Sequence, residues 1–136
     1  MARMDLKIIT PERVVFDDEV NMVIVRTIDG DRGILPRHAP LLTALEIGEI
    51  KVKIGEKNYN IAASQGYMEV FSSKVTILVS TAERENEIDV ERARAAKERA
   101  EERLKSREEK INEKRAEIAL QKALNRLRVG GRRKDK

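Results

Sequence analysis

Lys74-Val75-Thr76-Ile77-Leu78-Val79-Ser80 is followed, a few residues on, by Ile88-Asp89-Val90-Glu91-Arg92-Ala93-Arg94-Ala95-Ala96, and the chain changes its grammar between the two. The first run is apolar and β-branched, as a strand requires; the second is built from Ala, Glu and Arg, which are strong helix formers. Upstream of this junction, near Thr81, lie more short strand-like runs at 6–10, 21–26, 51–54, 59–63 and 67–71. Gly55-Glu56 closes a hairpin between the third and fourth of these. Strands this short and frequent, with no helical periodicity between them, predict a β-sandwich or barrel.

Downstream, Gly and Pro vanish until Gly130. Asp89 is placed to cap a helix, and Val90, Ala93, Ala96, Ala100 and Leu104 recur along one face of it. A second stripe follows at Ala116, Ala119/Leu120, Ala123/Leu124 and Leu127, and Ser106-Arg107-Glu108-Glu109 interrupts the period between the two. The simplest arrangement is an antiparallel two-helix hairpin with a short turn. The fold class is therefore α+β: an N-terminal β-sandwich or barrel over 1–82, a linker over 83–88, a helical hairpin over 89–129, and a tail over 130–136. In that tail Gly130-Gly131 reads as a helix stop and the basic cluster after it as a solvated, disordered end.

Composition narrows the function. With 136 residues there is room for one ordinary domain and an appendage. Aromatic residues make up only 3% and Trp is absent, so the core falls to Val, Ile, Leu, Met and Ala. Cysteine is absent too, which excludes disulfides and thiolate metal sites. His38 is the single histidine and sits in a Pro-bounded loop, where a structural role is expected. Met1-Ala2-Arg3-Met4-Asp5 runs straight into a strand pattern and no apolar run nears ~18 residues, so a soluble, cytoplasmic protein is expected. The net charge of +4 is unevenly held: residues 1–80 carry ten Lys/Arg against eleven Asp/Glu, and residues 81–136 carry eighteen against thirteen. Gly30-x-x-Gly33 is followed by Ile-Leu-Pro instead of Gly-Lys-Ser/Thr, so it cannot form a P-loop, and no catalytic residues are expected.

The hairpin stripes are mostly alanine. A buried methyl contributes on the order of 0.8 kcal/mol, so the helices gain little from each other, while alanine's propensity keeps each one helical when apart. That combination suits a two-state element.

Gly30-Asp31-Arg32-Gly33-Ile34-Leu35-Pro36-Arg37-His38-Ala39-Pro40 resembles the G-x-x-G-I-L-P-x-H-A-P loop of the epsilon subunit of bacterial F-type ATP synthases. Thr10-Pro11-Glu12, Ser64-Gln65-Gly66-Tyr67-Met68-Glu69-Val70 and the Ala-rich hairpin agree in order and spacing, so the resemblance reaches about Val129. Gln65 departs from it, standing where such subunits commonly have Gly. The resemblance implies a non-catalytic, peripheral subunit at the cytoplasmic face of the plasma membrane, touching the membrane only through its complex. Its sandwich would bind the gamma subunit and the c-ring. Its hairpin would extend toward the catalytic β subunits and restrain ATP hydrolysis. Arg115, Lys122 and Arg126, at i, i+7 and i+11, form a basic stripe suited to an acidic patch there.

Ile88-Asp89-x-x-Arg92-Ala93 further resembles the I/L-D-x-x-R-A motif of the ATP-binding, Bacillus-like epsilon subunits. With a turn centred near residue 108, the partner of Arg92 falls near residue 124, and Arg92, Arg99, Lys122 and Arg126 converge. Carried over by position, Glu83, Ile88 and Asp89 would take the adenosine end of ATP and Arg92, Arg99 and Arg126 the phosphates, with Ala93 and Lys122 also in the site and magnesium left open. Lys122 stands where ATP-binding subunits tend to carry Arg, replacing a guanidinium fork by a point charge. Two other readings stand beside this one. A rotor clamp would have a hairpin that never extends and senses no nucleotide. A basic nucleic-acid-binding module would use the tail, but its helical cations are interleaved with Glu and it has no aromatic platform, so nucleic acid is not an expected partner.

Overall fold

The computed structural model describes residues 2–106 and 110–134. Two compact units divide the chain, Met1–Arg84 and Glu85–Lys136.

The first unit contains ten strands among the described residues: β1 Met4–Ile9, β2 Val14–Val20, β3 Met22–Thr27, β4 Gly30–Ile34, β5 Leu41–Leu45, β6 Gly48–Ile54, β7 Lys57–Ala63, β8 Gly66–Phe71, β9 Lys74–Val79 and β10 Ala82–Arg84. They run in the order β10-β7-β6-β3-β5-β8-β9-β1-β2, with β4 attached to β3. Neighbours are antiparallel except β1 and β9, which pair parallel from Asp5 with Lys74 to Ile9 with Leu78. The alternation seen in the sequence decides which side chains turn inward. Met4, Leu6 and Ile8 of β1 meet Val75, Ile77 and Val79 of β9, Met68 and Val70 of β8, and Val23 and Val25 of β3 in one buried cluster. Leu6, Ile8, Ile61 and Ile77 are wholly excluded from water, each burial contributing about 1.5–3 kcal/mol. Phe16 and Tyr59 supply the aromatic part of the core, meeting edge to face with centroids 6.0 Å apart.

Gly55, at φ 60°, makes the expected β6–β7 turn. The β8–β9 turn uses Ser72 and Ser73, both at positive φ, so its tightness is hidden in residues that do not advertise it. Gly66 is required for a different reason. A Cβ there would fall 1.9 Å from the carbonyl oxygen of Leu78, inside the backbone of β9. Beside it, the hydroxyl of buried Ser64 accepts from the amide of Thr81 at 2.7 Å and meets the Ser80 hydroxyl at 2.6 Å, tying the β7 end to the strand that leads into β10.

The second unit holds a 3-10 turn at Glu85–Glu87 and two packed helices, α1 Val90–Ser106 and α2 Lys110–Lys134. The break expected at 106–109 falls mainly on residues 107–109, which lie outside the described residues. Two boundaries differ from the sequence reading. Residues 83–88 are not a plain linker, since Glu83 and Arg84 complete β10 and the next three residues form the 3-10 turn. Nor does Gly130 stop the second helix: the backbone stays helical through Lys134, and only Asp135 and Lys136 of the expected disordered tail lie outside the described residues.

Candidate functional site

Asp89 begins α1 as the sequence suggests. Its Oδ1 accepts from the amide of Arg92 at 3.0 Å, and its carbonyl takes the first helical bond from Ala93 at 3.0 Å, satisfying donors that would otherwise be orphaned. Ile88 and Ala93 are buried at 3% and 2% exposure, whereas Asp89, Arg92 and Arg99 are exposed. Lys122 and Arg126 are half-buried on α2. Glu83 lies apart from these seven in the chain, half-buried on β10 of the first unit.

The level of one helix against the other is set by Gly130. A Cβ on it would fall 2.8 Å from Ile88 Cγ2 and 3.2 Å from Val90 Cγ2, so the last turns of α2 lie against the first turn of α1. The helices are therefore antiparallel. With 1.5 Å of rise per residue, Arg126 stands about one turn back from Gly130, level with the turn of α1 that carries Arg92. Lys122 stands about one turn further, between the levels of Arg92 and Arg99. This register lies about three residues from the one expected of a turn at 108, less than one helical turn. Four cations share two to three turns of the hairpin, and among the described residues the side chains of Arg92, Arg99 and Lys122 form no ion pair.

The contact between the helices is made of small groups. Ala93, Ala100, Ala116 and Ala123 are each buried at 2% exposure or less, with Val129 at 0% closing the end near Ile88. Leu104, Ala119, Leu120 and Leu127 are only half-buried and Leu124 is 38% exposed, so the larger members of the expected stripe add less than their size allows. Exposed pairs Glu91–Arg94 and Lys97–Glu101 brace α1, each for a few tenths of a kcal/mol. Asn125, buried at 4%, was not legible in the sequence, because it falls outside the apolar period.

A second surface belongs to the sandwich. Leu42, Tyr67, Phe71 and Leu78, on neighbouring strands β5, β8 and β9, are 52–72% exposed. Tyr67 lies opposite both Ala44 and Leu78 in the ladder, and Pro40, Leu41, Leu42, Glu69, Val70 and Phe71 line a shallow groove of about 360 Å³. Glu69 lies on the same exposed face, opposite Leu42, so the face mixes large apolar side chains with one carboxylate. In the nearby 30–40 loop, His38 has a structural role: its amide donates to Leu35 O at 3.2 Å and its Nδ1 lies 2.6 Å from Ala39 O. Gly33 lies inside β4, and the residues with positive φ in that segment are Gly30, at the turn into β4, and Arg37.

Among the described residues no group of three His, Asp or Glu is placed to hold a metal ion, and no helix is long and apolar enough to cross a membrane.

A ten-stranded sandwich leading into a short helical hairpin is the architecture of two joined family models. The model for the β-sandwich domain of the ATP synthase delta/epsilon chain matches residues 3–85, and that for its long α-helix domain matches residues 86–131. The chain belongs to the ATP synthase delta/epsilon family. Within it, the similar proteins are epsilon chains. That of Desulforamulus reducens is 53% identical, covering 91% of this chain and 94% of its own. That of Halalkalibacterium halodurans is 47% identical over 97% and 100%. A chain of the Euglena gracilis mitochondrial ATP synthase, solved with its OSCP, F1 and c-ring, superposes with a TM-score of 0.78 at 25% identity, covering 89% of this chain and 77% of that one. A chain from the Tetrahymena thermophila central stalk and c-ring shares the fold at a TM-score of 0.60 and 13% identity, over 95% and 97%.

Proposed function

We propose that this chain is a non-catalytic stalk subunit at the cytoplasmic face of the membrane, whose sandwich joins the gamma subunit to the c-ring. Its hairpin restrains ATP hydrolysis when it leaves the folded state and reaches the catalytic β subunits. Family membership supports the assembly, and the apolar face of Leu42, Tyr67, Phe71 and Leu78 supplies a surface suited to a partner. ATP is the regulatory ligand, held by Ile88, Asp89, Arg92, Ala93, Arg99, Lys122 and Arg126.

The observation that carries the switch is the alanine interface. Four buried alanine methyls contribute on the order of 3 kcal/mol between them, at ~0.8 kcal/mol each. A ligand that binds only the folded hairpin adds about 2.7 kcal/mol at a hundredfold excess over its dissociation constant. The ligand term is comparable with the alanine part of the interface, beside which Ile88, Val90 and Val129 are also buried, so nucleotide occupancy weights the balance between the two states. Cations at Arg92, Arg99, Lys122 and Arg126 repel one another until a polyphosphate joins them through charge-assisted hydrogen bonds. High ATP then keeps the hairpin folded and permits turnover; low ATP releases it and suppresses hydrolysis.

The test is ATPase activity of the reconstituted complex with the full chain or with one truncated after Asp89. The full chain should depress hydrolysis at low ATP only, and truncation should remove that depression. Equal rates for the two at every ATP concentration would leave the hairpin as a static clamp.

A further inference from the structure

β10 and β2 stand at opposite ends of the strand order, so each has a ladder neighbour on one side only. β10 is three residues long, paired with β7 through Ala82, Glu83 and Arg84, and an edge strand this short has little ladder to hold it. Side chains join the two edges instead. Arg84 Nε donates to the carbonyl oxygen of Val15 on β2 at 2.9 Å, and its guanidinium lies 5.1 Å from the centroid of the buried Phe16 ring. Arg13 Nη2 reaches back to the carbonyl oxygen of Ala82 at 3.4 Å. Arg13 is itself fixed by the β1–β2 turn, where the Thr10 amide donates to Arg13 O and the Thr10 hydroxyl accepts from the Arg13 amide. The bond just beyond this double tie is weak: within the 3-10 turn, the Ile88 amide reaches Glu85 O at 3.4 Å.

We propose that Arg84, seconded by Arg13, is a strand staple that keeps β10 in the sandwich whenever the hairpin moves, so that the pivot is the 3-10 turn Glu85–Glu87. This rests on the mobile-hairpin reading and adds to it the place where motion begins. The staple sets reach: freeing three strand residues would lengthen the tether by ~10 Å, enough to change where the hairpin arrives. A guanidinium suits the task, because it holds its charge, stacks on the ring and donates sideways to the backbone at once.

The register offers a direct test. The Ser64 amide donates to Thr81 O, so the next pair along, Ala63 and Ala82, occupies a non-hydrogen-bonded position, where Cα atoms come ~4.5 Å apart and a disulfide fits. The chain has no cysteine of its own. The full chain carrying Ala63→Cys and Ala82→Cys would be oxidised, reconstituted into the ATPase complex and assayed across ATP concentrations. Restraint at low ATP should stay within about twofold of the unbridged chain, since a tenfold change would correspond to a newly blocked step. Restraint lost on oxidation and regained on reduction would place the pivot before β10 and overturn the proposal. In parallel, Arg84→Met should speed amide exchange at Glu83, whose amide faces β7 in this register, by about tenfold, with Arg84→Lys between it and the wild type. Unchanged exchange would overturn the staple. A wild-type chain with no low-ATP restraint would sink the mobile hairpin and its pivot together, while the exchange rates would still decide whether Arg84 staples β10.

Discussion

Alanine at Gly130 and alanine at Gly131 are the same chemical change one residue apart, and the hairpin should answer them differently. Both sit in α2, where glycine costs about 0.5–1 kcal/mol relative to alanine. A Cβ at Gly131 meets nothing within 4 Å, so Gly131→Ala should stabilise the hairpin by about that amount. A Cβ at Gly130 falls 2.8 Å from Ile88 Cγ2 and 3.2 Å from Ile88 Cβ. Ile88 is β-branched and 3% exposed, so it cannot swing aside, and overpacking of this kind costs typically 1–3 kcal/mol. Gly130→Ala should therefore fall short of Gly131→Ala by about 1–3 kcal/mol. Urea unfolding followed by helical circular dichroism at 222 nm would measure the difference. Equal gains from the two substitutions would refute the close approach of α2 to Ile88, and with it the register assigned to the four cations.

Other consequences follow from single contacts. Asp89→Ser keeps an oxygen for the Arg92 amide, so it should hold hairpin stability within about 0.5 kcal/mol, where Asp89→Ala loses about 1 kcal/mol. If Asp89 also touches the nucleotide, calorimetry will show weaker ATP binding in both variants. Lys122→Arg restores a bidentate donor and should tighten ATP binding several-fold, read as a lower Kd in the same titration. Gly66→Ala forces a Cβ into the carbonyl of Leu78 and should leave little folded sandwich, visible as loss of the cooperative thermal transition.

Much of this fold was legible because period-two alternation survives in β1, β3, β6, β8 and β9, whose buried positions are apolar apart from Thr27. Four strands were not. In β2 the inward Val15, Phe16 and Val20 are separated by exposed Asp17, Asp18 and Glu19. β4 is glycine-rich and buries only Ile34, and β5 alternates in burial but not in polarity, because apolar Leu42 faces outward at 72% exposure. β10 is too short for any period and is held by Arg84, whose partner Val15 is 69 residues away. The same limit explains Gly130. Read locally it is a helix stop, and only its contact with Ile88 reveals close packing. Within the candidate site, the Asp89 cap was legible from residue type and position, whereas the level of α2 against α1 depended on that contact.

In the proposed switch, ATP binds the folded hairpin through its cations. Calorimetric titration of ATP into the isolated full chain, beside an Arg92→Ala, Arg126→Ala variant, tests it most directly. Saturable binding at one site is expected, weakened at least tenfold in the variant, as the loss of two charge-assisted contacts requires. No saturable heat at millimolar ATP, or equal affinity in the two proteins, would contradict it.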